Sequence, residues 1–148
     1  MWQRLQPALQ RLKPLFVILG SGTSSAAVVL AAIFHGFLIP HVPFFRSGVA
    51  GAEWATPLVY LGIFGISILA ALVIGDLGTA IGSFFAAYLL GAAITFLVLV
   101  LPGYTGGLPS PDLIVPAGVQ FTFTAFFPLL FVELVATLLG VALSEHLA

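Results

Sequence analysis

The stretch Pro57–Leu101, with the sequence PLVYLGIFGISILAALVIGDLGTAIGSFFAAYLLGAAITFLVLVL, decides how this chain folds. It is 45 residues long, and Asp76 is its one charged residue. A single helix of this length would extend ~67 Å, about twice the thickness of the bilayer hydrocarbon. The stretch therefore predicts two membrane-spanning helices joined by a tight turn at Asp76. Because the connection is short, we expect these two helices to be antiparallel neighbours.

The composition of the whole chain is that of a membrane protein. Of its 148 residues, 61% are hydrophobic and 6% are charged, whereas about a quarter of the residues of a soluble domain are charged. So few polar residues exclude a soluble enzyme and a disordered chain. The net charge of −1 excludes a basic surface for nucleic acid. The absence of cysteine excludes disulfides and any cysteine-based metal or cofactor site.

Two further apolar stretches complete the membrane domain. The first, Leu15–Ile39, is bounded by Pro14 and Pro40, and the last extends from Val119 to Leu143. We expect an all-α integral membrane protein with a single domain, in which four transmembrane helices form an up-down bundle. The expected segments are a short interfacial helix at 1–14 and spans at about 15–39, 57–75, 78–101 and 119–143.

Threonine, proline and glycine predict where the helices begin and end. Thr56 followed by Pro57 is typical of an N-cap and first helical residue, so the second helix is expected to begin there. Pro102 is expected to end the third helix. The segment Gly103–Pro116 is rich in proline and glycine, and we expect it to be a loop rather than a helix.

The basic residues indicate the orientation in the membrane. Arg4, Arg11 and Lys13 precede the first span, whereas Arg46 is the one basic residue in the first loop. Positive charge is enriched on the cytoplasmic side of membrane proteins. A chain with four spans has both termini on the same side, which we therefore expect to be the cytoplasm. Apolar residues between the basic ones predict that segment 1–14 lies in the headgroup layer.

Glu133 is the main candidate for a functional group. It lies well inside the last span, where an ionisable side chain costs about 2.5–3.5 kcal/mol on insertion scales. One interpretation is a carboxylate that handles a proton or cation, or that ligates a pigment or metal. The alternative is a structural carboxyl, protonated or hydrogen-bonded, that holds helices together. Its candidate hydrogen-bond partners are Thr137, which follows by four residues, and three side chains in other spans: Tyr60, Tyr88 and Ser67.

Pro128 and His35 are two further candidates near the spans. Pro128 lacks an N–H in the middle of the last helix, so we expect a kink there that leaves the Thr124 carbonyl without its usual partner. His35 could serve as the single axial ligand of a haem or a chlorophyll magnesium. The alternative for His35 is a polar anchor at the membrane interface. No spacing in the chain matches a multi-residue metal site.

Small residues form two rows on the third helix. Gly78, Gly82 and Ala86 make the first row, and Ala87 and Gly91 make the second. Small side chains allow a neighbouring helix to approach closely, so we expect both rows to pack against helices of this chain or of an oligomer.

Two functional hypotheses remain open at this point. The first is a small non-catalytic subunit of a respiratory, photosynthetic or transport complex in the lipid bilayer, in contact with other membrane subunits. The alternative is a homo-oligomeric channel or a proton- or cation-coupled carrier that uses Glu133. An enzyme is less well supported, because the spacing assembles no nucleophile–base pair. The cofactor is left open between a pigment, a haem, a quinone and none, and no motif identifies a family.

Overall fold

The computed structural model describes residues 2–41, 44–46, 49, 52–106 and 111–147. The helices are α1 (Trp2–Phe34), α2 (Ala55–Ile74), α3 (Leu77–Tyr104) and α4 (Pro111–Leu147). Two short strands, β1 (Ile39–His41) and β2 (Phe44–Arg46), pair between α1 and α2. Each helix contains a segment long and apolar enough to cross a membrane, which confirms the predicted all-α fold with four spans.

The first helix begins earlier and ends earlier than the sequence suggests. It is continuous from Trp2 to Phe34, so segment 1–14 is its first part rather than a separate helix. The expected end at Ile39 was wrong. Gly36 adopts a φ of 73°, and the N–H groups of Phe37 and Leu38 donate to the carbonyl of Ala32. This left-handed glycine closes the helix, as in a Schellman end.

Ile39 belongs to the short β1–β2 pair instead. It lies opposite Arg46 in an antiparallel register. The side chains of residues 1–11 and of Arg46 lie outside the described part of the chain. The interfacial position of segment 1–14 therefore stays a prediction.

The second helix does not begin with a threonine cap. It begins at Ala55, and Trp54 in the cap position makes no side-chain hydrogen bond. The hydroxyl of Thr56 instead donates to the Phe37 carbonyl at 2.8 Å. The prediction of Thr56 as the N-cap was therefore wrong, and this side chain joins the start of α2 to the end of α1.

The turn at Asp76 is present as predicted. Gly75 has a φ of 75°, and its N–H donates to the Ala71 carbonyl to close α2. The Asp76 carboxylate accepts from the N–H of Thr79 at 2.8 Å and caps α3. We call this end of the bundle, which also carries Lys13 and Ser144, the Asp76 end.

The third and fourth helices are longer than expected. Helix α3 continues through Pro102 to Tyr104, where Thr105 donates to the Leu101 carbonyl. Helix α4 begins at Pro111, so the expectation of a loop throughout Gly103–Pro116 was wrong for its first two residues, which belong to α3, and for its last six. Proline at the first helical position needs no N–H partner, which makes Pro111 a suitable start. Residues 107–110 lie outside the described part of the chain.

The helices are not arranged in chain order around the bundle. Helix α1 packs against α3 and α2, and α4 packs against α2 and α3. Helices α2 and α3 lie diagonally across the bundle, as do α1 and α4. The prediction that the second and third helices are packed neighbours was therefore wrong, although they are joined by the tight turn.

Close glycine contacts explain this order. A Cβ atom on Gly22 of α1 would lie 2.8 Å from the carbonyl oxygen of Ala87 in α3. A Cβ atom on Gly140 of α4 would lie 2.7 Å from the carbonyl oxygen of Ile68 in α2. Backbones approach this closely only where side chains are absent, and such contacts drive helix association in lipid. The close packing of α1 on α3 and of α4 on α2 therefore determines which helices are neighbours. The short connection between α2 and α3 does not.

Two apolar clusters fill the interior. The large apolar cluster lies toward the end away from Asp76, and the small apolar cluster lies at the Asp76 end. The large cluster consists of Val29, Ala32, Leu38, Ile63, Ala125, Phe126 and Leu129. The small cluster consists of Ala71, Ala80 and Val141.

Candidate functional site

Glu133 lies inside the bundle at about half the depth of the membrane. Its side chain is 3% exposed. Ser144, at the Asp76 end of the same helix, donates to the Gly75 carbonyl. The step of eleven residues from Glu133 to Ser144 corresponds to ~16 Å of helix, about half of the hydrocarbon thickness. A carboxyl at this depth cannot reach water by extending its side chain.

In the described part of the chain, Ser25 is the side chain that hydrogen-bonds to the Glu133 carboxyl. Its hydroxyl donates to Oε1 of Glu133 at 3.1 Å, and Ser25 itself is 4% exposed. The bond joins α1 to α4 across the diagonal of the bundle. Ser25 was not among the predicted partners. The signal in the sequence was the run of small and hydroxyl residues from Gly20 to Ser25, but the sequence does not show which of them faces α4.

The four predicted partners of Glu133 have different roles. Thr137 donates at 2.8 Å to the main-chain carbonyl of Glu133 rather than to its carboxyl. Tyr88 donates at 3.0 Å to the carbonyl of Phe126. Tyr60 packs against the large apolar cluster. Ser67 lies beside Glu133 and lines the same cavity.

This cavity is small, partly polar and shared by all four helices. Its volume is about 20 Å³, which is enough for roughly one water molecule. Besides Glu133, it is lined by the hydroxyl side chains Ser21, Ser25, Ser67, Ser83 and Thr137. The remaining lining residues are apolar and uncharged. The cavity therefore combines one acidic group with several hydroxyl oxygens in the membrane interior.

Part of the hydrogen-bonding capacity around the cavity is unused. Ser67 is 7% exposed and Ser83 is 5% exposed. Within the described part of the chain, neither hydroxyl forms a hydrogen bond, and Oε1 is the one oxygen of Glu133 that accepts a bond. Buried polar groups usually have a partner, and in a cavity of this size that partner is a water molecule or an ion. The arrangement can therefore hold a proton, a water molecule or a small cation.

His35 lies far from this cavity, just after the end of α1. Its side chain is exposed, and its ring stacks on that of Phe37 with centroids 6.0 Å apart. In the described residues, no three His, Cys, Asp or Glu side chains come together as a metal site. A role for His35 as an axial ligand stays a prediction, to be judged by whether the purified protein carries a chromophore.

The two rows of small residues on α3 face different surroundings. Ala87 and Gly91 are buried, and a Cβ atom on Gly91 would lie 3.1 Å from the Gly22 carbonyl oxygen and 3.3 Å from the Phe126 ring. This row packs inside the bundle. Gly78 and Gly82 are exposed and Ala86 is half-buried, so this row points outward. A Cβ atom on Gly82 would have no neighbour within 4 Å.

Pro128 lies within α4 without ending it. The helix continues from Pro111 to Leu147 through this position. The missing N–H leaves the Thr124 carbonyl without its usual partner, and the Tyr88 hydroxyl binds the nearby Phe126 carbonyl. The expected kink stays a prediction.

Comparisons with known proteins do not assign the chain to a family. No family model, no curated protein and no solved structure matches it. The function therefore has to be inferred from the fold, the cavity and the outer surface of the bundle.

Proposed function

We propose that this small polytopic membrane protein is a non-catalytic subunit that packs against other subunits of a larger membrane complex, of respiratory, photosynthetic or transport type. The observation that carries the proposal is the outward-facing row Gly78, Gly82 and Ala86. Within the described part of the chain, Gly78 and Gly82 support no close helix contact, unlike Gly22 and Gly91. In lipid, a row of small residues makes few van der Waals contacts with acyl chains, but it allows another helix to approach closely.

The filled interior supports the same proposal. The large apolar cluster, which includes Phe126 and Leu129, occupies the space between the helices. The cavity at Glu133 accommodates only about one water molecule. The cavity at Glu133 in the described part of the chain is therefore too small for a larger solute.

Mild-detergent purification followed by native mass spectrometry tests this function. We expect the wild-type chain to co-purify with unrelated membrane subunits, and Gly82→Leu to lose them because the side chain covers the row. Gly62→Leu is the matched control, since Gly62 also faces open space but lies on α2. A wild-type chain that purifies as a monomer or as a clean homo-oligomer would contradict the proposal.

The cavity at Glu133 favours a second candidate function. In this second function, the protein is a homo-oligomeric channel or a proton- or cation-coupled carrier in which Glu133 binds the transported ion. A carboxyl in the membrane interior is costly to keep unless it has such a role or a structural partner. Because one bundle encloses so little space, a pore would form between several copies.

Ion flux into reconstituted vesicles tests this second function. We expect Glu133→Gln to abolish proton or cation flux. Glu145→Gln is the matched control, because Glu145 is an exposed carboxyl at the end of the same helix. Unchanged flux in Glu133→Gln, or no flux in the wild-type protein, would remove this candidate.

Two further proposals concern the cofactor and the orientation. A pigment, quinone or lipid would bind at the apolar outer surface, and an absorbance scan of the purified protein detects a pigment or haem. From the basic residues before the first span we infer that both termini lie in the cytoplasm. Protection of a C-terminal tag from external protease in whole cells is the expected result, and digestion of the tag would contradict it.

A further inference from the structure

The cavity at Glu133 lies close to a surface pocket at the Asp76 end. This pocket has a volume of about 200 Å³ and is lined by Lys13, Pro14, Ile74, Asp76 and Thr79. Ile74 also lines the Glu133 cavity, and Ala80, one residue after Thr79, lines it from α3. A single side chain, that of Ile74, is thus shared by the polar cavity and the surface pocket.

The opposite side of the cavity is closed by tightly packed side chains. Val29, Ile63, Ala125 and Leu129 of the large apolar cluster are each 0% exposed. Phe126 of the same cluster is 2% exposed. Water or an ion would have to cross this whole layer to reach Glu133 from the end away from Asp76. The path from the Asp76 end passes the half-buried Ile74 and the small apolar cluster. That cluster has three buried residues, whereas the large apolar cluster has seven, so the two directions differ in cost.

The charge of the cavity indicates the kind of ligand. Among the described residues that line it, Glu133 is the one ionisable group, and the other polar groups are hydroxyls with oxygen lone pairs. An acidic group surrounded by neutral oxygen donors suits a hard, positively charged ligand. The volume restricts that ligand to about the size of one water molecule.

We propose that the cavity is a binding site for one water-sized cation, a hydronium or a sodium ion, which enters from the Asp76 end past Ile74. The proposal deepens the second function above, in that it names the ligand class and the side of entry. It does not depend on the ion crossing the membrane. A site of this kind would fill and empty from one side of the bilayer even in a protein that transports nothing.

Silver ions test the side of entry, because Ag⁺ is small and reacts with thiols. The chain has no cysteine, so each introduced thiol is unique. Ser83→Cys places a thiol in the cavity with little change in shape. Ala125→Cys, its matched control, places one in the large apolar cluster. Leu77→Cys and Tyr104→Cys, both exposed at opposite ends of α3, identify the two sides of a sealed vesicle.

We expect Ag⁺ to react with the thiol of Ser83→Cys about tenfold faster from the Leu77 side than from the Tyr104 side. From the Tyr104 side, an ion passes the large apolar cluster only when the bundle opens locally. Ala125→Cys should react slowly from both sides. The blocked fraction is read by alkylation after denaturation and mass spectrometry. Equal rates for Ser83→Cys from both sides, faster reaction from the Tyr104 side, or no reaction at all would overturn the proposal. Ser67→Cys, tested alongside, provides the same measurement if Ser83→Cys fails to fold.

Competition with Na⁺ distinguishes the two cations. Slower silver reaction at Ser83→Cys in sodium nitrate than in choline nitrate identifies a sodium site, and equal rates reject sodium as the ligand. The Glu133→Gln flux measurement is separate from this one. If silver reacts from one side and no ion flux is measured, the cation site is supported and the carrier function is rejected. If flux is measured and silver reacts equally from both sides, the carrier function is supported and entry from the Asp76 end is rejected.

Discussion

Substitution of Gly140 tests the order of the helices in the bundle. In Gly140→Ala, the new Cβ atom would lie 2.7 Å from the Ala71 Cβ and 2.7 Å from the Ile68 carbonyl oxygen, whereas ordinary contacts are 3.4–4 Å. Both obstacles are rigid, so α4 and α2 have to separate by about 0.7 Å. Overpacking of this kind costs about 1–3 kcal/mol.

The matched control is Gly65→Ala on α2. A Cβ atom at Gly65 would have no neighbour within 4 Å. Both variants gain the same helix propensity, up to ~1 kcal/mol for glycine to alanine. That gain cancels when the two are compared, so Gly140→Ala should be less stable than Gly65→Ala by about 1–3 kcal/mol. Thermal and denaturant unfolding in mild detergent measure the difference.

Equal stability of the two variants would refute this reasoning. It would mean that Gly140 does not lie against the α2 backbone. The packing order of the helices, with α4 against α2 and with α2 diagonally opposite α3, would then be incorrect.

Three other substitutions have expected outcomes. Thr95→Val should raise the free energy of unfolding by up to about 1–3 kcal/mol, because the Thr95 hydroxyl is buried without a partner in the described chain; a loss of stability in denaturant would show that it has one. Tyr88→Phe should lose about 0.5–1.5 kcal/mol, since the bond to the Phe126 carbonyl disappears, and an unchanged melting temperature would contradict this. Hydrogen bonding with Thr79, through its side chain first and then its backbone N–H, lowers the pKa of Asp76 below 3.8. The wild type should therefore exceed Asp76→Ala in stability at neutral pH, with the advantage lost as the pH falls through the lowered pKa; a difference that grows in acid would have the wrong sign.

The sequence predicts the fold class and the number of helices because both depend on hydrophobicity averaged over long segments. Runs of apolar residues longer than a membrane span, and the single polar break at Asp76, determine the number of crossings. Helix ends depend on finer geometry. Gly36 ends α1 through a left-handed conformation, and Thr56 bonds to Phe37 instead of capping α2, and neither outcome follows from local propensity.

The packing order and the partner of Glu133 could not be predicted for a related reason. Both depend on which face of each helix meets another, and this is set by contacts such as Gly22 against Ala87. Glu133 stands out in the sequence because an acidic residue is rare in such a segment. Ser25 does not stand out, because it is one of several neighbouring serine and threonine residues in α1. The rotation of α1 about its axis determines which of their hydroxyls faces Glu133.

The hydrogen bond between Ser25 and Glu133 places the carboxyl at the centre of the bundle, and a double-mutant cycle measures it most directly. The cycle combines Ser25→Ala with Glu133→Leu and records unfolding free energies in detergent. Ser24→Ala, at an exposed neighbouring hydroxyl, replaces Ser25→Ala in a control cycle. We expect a coupling of about 0.5–3 kcal/mol for Ser25 and none for Ser24. A coupling near zero for Ser25, or an equal coupling for Ser24, would contradict the central position of Glu133.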